Sequence, residues 1–140
     1  MKIESFEDIE SWSKARELTN LIYRHSKRGE FARDFGLRDQ IRRASTSIMS
    51  NIAEGFERGG DKEFLQFLST AKGSCGEVRS QLYIALDQEY ISRADFDQLR
   101  TMTISIGRLI AGFMKYLQTS PLRGSKYSQE PQRPARPARR

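Results

Sequence analysis

A chain of 140 residues, 37% hydrophobic and 30% charged, has room for one domain around one moderate core. Its net charge of +6 first suggests nucleic acid, but from Ser120 onward six basic residues stand against Glu130 alone, which leaves the body at +1. The lone cysteine, Cys75, excludes an internal disulfide and a zinc ribbon, and no apolar run approaches the ~20 residues that span a bilayer. The acidic start "MKIESFEDIE" lacks the apolar stretch of a signal peptide, so the cytoplasm is the expected location, with no membrane partner.

Four amphipathic helices are expected. The first runs from about Phe6 to Lys27, with Ser5 and Asp8 at capping-box spacing and Ile9, Trp12, Ala15, Thr19, Ile22 and Tyr23 on one face. Gly29 in "SKRGEF" is a plausible stop. The second covers about Gly36 to Arg58, with Leu37, Ile41, Ala44, Ile48 and Ile52 as its stripe, and Gly59-Gly60 ends it. The third starts with Asp61 as N-cap and Glu63 near the positive end. Its stripe of Phe64, Leu68, Ala71, Cys75, Val78, Leu82 and Leu86 continues to about Glu89. After "YISRAD", in which Ser92 and Asp95 repeat the capping spacing, Phe96, Leu99, Met102, Ile106, Leu109, Ile110, Phe113 and Leu117 define the fourth.

Long helices with short connections and no alternating strand pattern predict an all-α, antiparallel up-down-up-down four-helix bundle over residues 1–119. Residues 120–140 contain all four prolines and no apolar period, and are expected to form a flexible Pro/Arg-rich tail.

The stretch "SIMSNIAEGF" carries more polarity than a core helix needs. At ~100° per residue, Arg43, Ser47, Ser50 and Glu54 fall together about a third of a turn from the isoleucine stripe, with Asn51 between. Small hydroxyls and one charge of each sign suit a helix packing on a second polypeptide. In the third helix, Lys72 and Arg79 share a side, and "AKGSCGE" places Gly73, Ser74 and Gly76 close together. Each mid-helix glycine costs ~1 kcal/mol relative to Ala, which suggests close backbone contact or bending. A solvated face with tolerated small residues explains the same composition.

The blocks "QIRRASTSIMSNIAEGF" and "EFLQFLSTAKGSCGEVRSQL", with the opening "FEDIESWSKARELTNLIY", resemble a bacterial four-helix-bundle family. That family is named for the intervening sequence of 23S ribosomal RNA genes, or as S23 ribosomal proteins. The likeness spans about residues 5 to 118. It implies an antiparallel bundle that assembles into a ring-like pentamer. It also implies similarity to the accessory protein of diversity-generating retroelements, which binds a reverse transcriptase and nucleic acid through a basic surface. By motif, the family's blocks fall on Gln40, Arg42, Arg43, Ser47, Asn51, Glu54 and Gly55, and on Lys72, Gly73 and Ser74. No catalytic residues come with it. Where the family commonly has proline, this chain has Met49, which retains a backbone donor and should kink the helix less. The family's usual Phe-Pro turn is here Phe31-Ala32.

The expected function is therefore non-enzymatic: a homo-oligomer, a pentamer by the resemblance, that binds RNA or other nucleic acid through clustered basic residues. Candidate contacts are Arg42, Arg43, Lys72 and Arg79 on the body and Arg133, Arg136, Arg139 and Arg140 on the tail. Arg43, Ser47, Ser50, Asn51 and Glu54 are the candidate oligomer interface, where Arg43, beside Glu54 on the wheel, reads as structural, in an intersubunit salt bridge. The alternative is a protein-interaction scaffold for a polymerase-like partner. No metal or cofactor is expected, because His25 is the only histidine and no Glu-x-x-His pair exists. His25 itself reads as a helix-end or solvated residue.

Overall fold

The computed structural model describes residues 2–120. A short 3-10 turn, Phe6–Asp8, precedes five helices: α1 (Glu10–Ser26), α2 (Gly29–Arg33), α3 (Phe35–Arg58), α4 (Asp61–Asp87) and α5 (Arg93–Thr119). The four long ones form the expected antiparallel bundle. α3 packs on α1 and α4, and α5 packs on α4 and more lightly on α1, which closes a square. Cross-helix pairs show the direction of each neighbour: Arg42 meets Ser26, Arg58 reaches Glu63, and the Tyr83 ring meets Phe96. In each pair an early residue faces a late one.

The stripes read from the sequence form the core. Ile41, Ile48 and Ile52 of α3, Phe64, Leu68, Val78 and Leu82 of α4, and Leu99 and Ile110 of α5 are wholly enclosed. Each such side chain contributes about 1.5–3 kcal/mol by leaving water. On α1 the enclosed face also includes Leu18, which the stripe read from the sequence leaves out, whereas Tyr23 lies at its exposed edge.

Three boundaries differ from the sequence expectation. The Ser5–Asp8 capping pair is present, with the Asp8 carboxylate accepting from the backbone N–H groups of Glu4 and Ser5. It caps only the 3-10 turn. Ile9 is extended, and α1 begins one residue later. Asp61 is the first residue of α4 and Gly60 its N-cap, so the carboxylates of Asp61 and Glu63 meet the helix dipole from inside the first turn. α4 stops at Asp87, short of Glu89, whose φ of 63° is left-handed. The N–H of Tyr90 then bonds back to the Ala85 carbonyl at 2.8 Å.

Nor is the break after α1 a plain loop. α1 ends at Ser26, and Gly29, with φ +51°, turns the chain into the five-residue α2. That turn buries Phe31 to 2% exposure and stacks its ring on Tyr90, with centroids 5.3 Å apart. Asp34 then caps α3 by accepting from the Leu37 N–H at 3.1 Å. α3 continues unbroken through Met49 to Gly59, whose φ of 102° closes the helix.

Candidate nucleic-acid interface

The residues of "SIMSNIAEGF" divide between two tasks. Ser47 and Asn51 serve the chain's own α3–α4 contact. The Ser47 and Ser74 hydroxyls are 2.9 Å apart, and the Asn51 amide donates to the Ser47 carbonyl at 2.8 Å and to its hydroxyl at 3.0 Å. These polar atoms are thus paired within the subunit. Gly55 allows the same two helices to approach, since a Cβ there would lie 2.6 Å from Phe67 Cβ and 2.9 Å from the Phe64 ring.

Arg43, Ser50 and Glu54 lie on the outward side of α3 and are exposed. Arg43 and Glu54 do not meet within the subunit, and Arg43 keeps its charge for a neighbour. Glu54 instead accepts from Arg58, one turn further on, at 2.9 Å. Arg43 is three turns away, roughly 16 Å along the axis. Arg58 also reaches Glu63 at 3.9 Å and lies over the Phe67 ring at 5.3 Å, so it ties the end of α3 to α4.

The four candidate cations of the body, Arg42, Arg43, Lys72 and Arg79, do not form one cluster. Arg42 turns toward α1, where its Nε donates to Ser26 Oγ at 2.8 Å and its guanidinium lies 4.6 Å from the Tyr23 ring centroid. Arg43 lies on the outward side of α3. Lys72 and Arg79 point toward the α5 side of α4. Both act on the thiol of Cys75, whose Cβ lies 4.0 Å from where a Gly107 side chain would begin on α5. They are exposed, two turns or roughly 10.5 Å apart, and neither forms an ion pair among the described residues. Gly73 and Gly76 beside them face open space, so the close backbone contact expected of these glycines is not made within the subunit.

A third basic group joins Lys72 and Arg79. Arg100 of α5 donates from Nε to the Tyr83 hydroxyl at 3.2 Å, and Tyr83 is one turn beyond Arg79. The result is a strip of Lys72, Arg79 and Arg100 along the α4–α5 groove, with the half-exposed Tyr83 ring between the last two. A second basic region lies at the α1–α2 corner, where Arg24, Lys27, Arg28 and Arg33 are exposed without ion-pair partners among the described residues. Between Arg24 and Arg43 there are seven Lys or Arg against three Asp or Glu, a local excess that the near-neutral body total concealed. The tail candidates Arg133, Arg136, Arg139 and Arg140 lie outside the described residues.

Cys75 is core. It is 4% exposed, and burial pushes its thiol up from 9.0 to about 11 against the opposing pull of Arg79 and Lys72. His25 is neither a cap nor solvated. Its side chain is 12% exposed, with Nδ1 3.9 Å from the Asp95 carboxylate of α5. Among the described residues, no group of three His, Cys, Asp or Glu could hold a metal, and no helix is long and apolar enough to cross a membrane.

Residues 7–112 match the family described as 23S rRNA-intervening sequence protein. The chain belongs to that family. A solved structure from the S23 ribosomal protein family of Bacteroides thetaiotaomicron, described as a protein with unknown function, has the same fold. Its TM-score is 0.68 at 24% identity, over 75% of this chain and 98% of that one. No match is found among curated proteins. In this member of the 23S rRNA-intervening sequence protein family, the stretch around "SNIAEG" meets Ser74 of "AKGS" at the α3–α4 contact. There Ser47, Asn51, Gly55 and Ser74 have packing roles in the subunit.

Proposed function

We propose that this protein is a non-enzymatic, ring-forming homo-oligomer that binds RNA or other nucleic acid through its α4–α5 basic strip. The observation that carries the reading is the Lys72, Arg79 and Arg100 alignment. Two of these cations are exposed without ion pairs among the described residues, and the third is joined to them through the Tyr83 hydroxyl. Unpaired cations in a row on long side chains suit phosphates along one strand, and an exposed tyrosine ring among them offers a face for an unstacked base. Arg43, Ser50 and Glu54 remain outward on α3, where a second copy can cover them. Assembly would repeat the strip around the ring and multiply weak contacts.

Binding of a fluorescent single-stranded RNA to the full chain tests this, followed by anisotropy at two salt concentrations and with light scattering for the oligomer. Three phosphate contacts per subunit predict a loss of about 20-fold when salt is raised from ~50 to ~200 mM. Lys72→Glu combined with Arg79→Glu should abolish binding while the helical spectrum stays unchanged. Salt-independent binding, or full affinity in that variant, would overturn the proposal.

A scaffold reading draws on a different observation. Phe35, Tyr83, Ile84 and Tyr116 are large apolar side chains left between 38% and 62% exposed with Tyr23, and they suit a protein partner such as a polymerase. An RNA titration flat at low salt, together with capture of such a partner that Tyr83→Ser and Ile84→Ser weaken, would favour it.

A further inference from the structure

At the end of the bundle away from α2, the segment before α1 crosses the C-terminal half of α5 and leaves a cleft of about 290 Å³. Ile3, Ile9, Leu109, Phe113 and Tyr116 give it apolar walls. Two polar residues interrupt them, and both belong to the first turn of α1. Ser11 is 2% exposed and its hydroxyl has no hydrogen-bond partner. A buried hydroxyl without a partner is uncommon and needs a reason. Glu10 is exposed at the rim, and its carboxylate forms no ion pair among the described residues.

We propose that this cleft binds a small organic amine with one aromatic or branched aliphatic group. The volume accepts about one ring with a short chain, near the lower limit for small-molecule sites. Among the described residues no basic side chain lines the cleft, and the one charged group that does is anionic. The Phe113 and Tyr116 rings, stacked at 22° with centroids 6.3 Å apart, both line it, and aromatic rings attract ammonium. The first turn of α1 has a partial positive charge of about half a unit, which favours anions. The full charge of Glu10 stands at that same turn and outweighs it. In the bound state the ammonium pairs with Glu10 and donates a second hydrogen bond to Ser11 Oγ, while the apolar group fills the space between Ile9, Leu109 and Phe113.

The site is independent of the basic strip, which lies on the other side of α5, and it stands whether or not RNA binds. Titration of the full chain with phenethylamine, followed by backbone amide NMR, tests it. Phenylacetate and 2-phenylethanol serve as the anionic and neutral comparisons. The expected result is saturable binding at about 0.1 to 1 mM, with shifts confined to residues around Ser11 and Phe113. Phenylacetate should bind at least about tenfold more weakly. Glu10→Gln, an exposed and isosteric change, should weaken the amine about two- to fivefold, and Leu109→Trp should abolish binding by filling the cleft. Absence of saturation, equal affinity for phenylacetate, or indifference to both variants would overturn the proposal. So would binding that appears only when residues 121–140 are removed, which would assign the cleft to the chain's own C-terminal segment. Binding that is lost as subunits associate would assign it to a second copy, with the same consequence.

Discussion

The Tyr90 hydroxyl donates to the Asp34 carboxylate across 2.8 Å and so fastens the α4–α5 turn to the start of α3. The other carboxylate oxygen accepts the Leu37 N–H. The Leu37 bond first and the Tyr90 bond second hold Asp34 below its ordinary 3.8, while the same bond to Asp34 holds Tyr90 above its ordinary 10.0. The two shifts act at opposite ends of the pH range. Asp34 contributes stability that is full above 3.8 and is lost as pH falls through its lowered folded value. Tyr90 contributes stability that is full below 10.0 and is lost as pH rises through its raised one. Tyr90→Phe keeps the ring that stacks on Phe31 and removes the hydroxyl. It should lower stability near neutrality and flatten both the acid and the alkaline limbs, as urea melts across the pH range would show. Curves that superimpose on those of the parent chain would separate the pair from the fold's stability.

Gly55 sets two effects against each other. An alanine in a helix interior gains about 1 kcal/mol over glycine. At Gly55 its Cβ would also lie 2.6 Å from Phe67 Cβ and 2.9 Å from the Phe64 ring, and the nearer atom is fixed to the α4 backbone. Forcing α3 and α4 apart costs about 1–3 kcal/mol, so Gly55→Ala should be net destabilising by up to about 2 kcal/mol. Gly73→Ala and Gly76→Ala, which meet nothing within the subunit, should be stabilising in the monomer. Thermal melts of the three variants read the comparison directly, and a stabilised Gly55→Ala would contradict the close approach.

Most of the bundle was legible because its core follows one rule. Ile41, Ile48 and Ile52 recur at helical spacing and are all enclosed. What escaped depended on partners distant in the chain. α2 exists because Phe31 finds Tyr90, a contact that no local pattern records. Ser47 was correctly placed on the flank of α3, but a single helix cannot show which neighbour covers that flank, and here it is Ser74 of the same chain. Arg100 could join Lys72 and Arg79 only once the register of α5 against α4 set Tyr83 beside it. The basic α1–α2 corner was readable in principle from the charge density between Arg24 and Arg43, which the whole-body total averaged away.

Cys75 offers a test of packing through chemistry. Only the thiolate reacts at an appreciable rate. With the thiol pushed up to about 11 and the residue 4% exposed, the native chain should label slowly with a disulfide reagent near pH 8. Unfolding in urea should restore the rate of an ordinary cysteine. Rapid native labelling at a rate independent of urea would mean that the α4–α5 contact opens on the timescale of the reaction.

Arg42 and Arg43 are adjacent, chemically identical and assigned to opposite roles. Arg42 joins α1 to α3 through Ser26 Oγ and the Tyr23 ring, and the Ser26 side chain it bonds is fully buried. Arg42→Ala removes a charged donor from that hydroxyl and a cation from the ring, and should cost about 1–2 kcal/mol. Arg43 is exposed, with no ion pair among the described residues, so Arg43→Ala should change subunit stability by less than about 0.5 kcal/mol. With RNA on the α4–α5 strip and Arg43 on the face that a second copy covers, the order of effects is reversed for assembly. Arg43→Ala weakens self-association, read by light scattering, and lowers RNA affinity only through it, whereas Arg42→Ala leaves both unchanged once the variant is folded. Urea melts and RNA titrations on the same two proteins decide the matter. A stable Arg42→Ala chain with reduced RNA affinity would show its guanidinium leaving Tyr23 to meet the ligand.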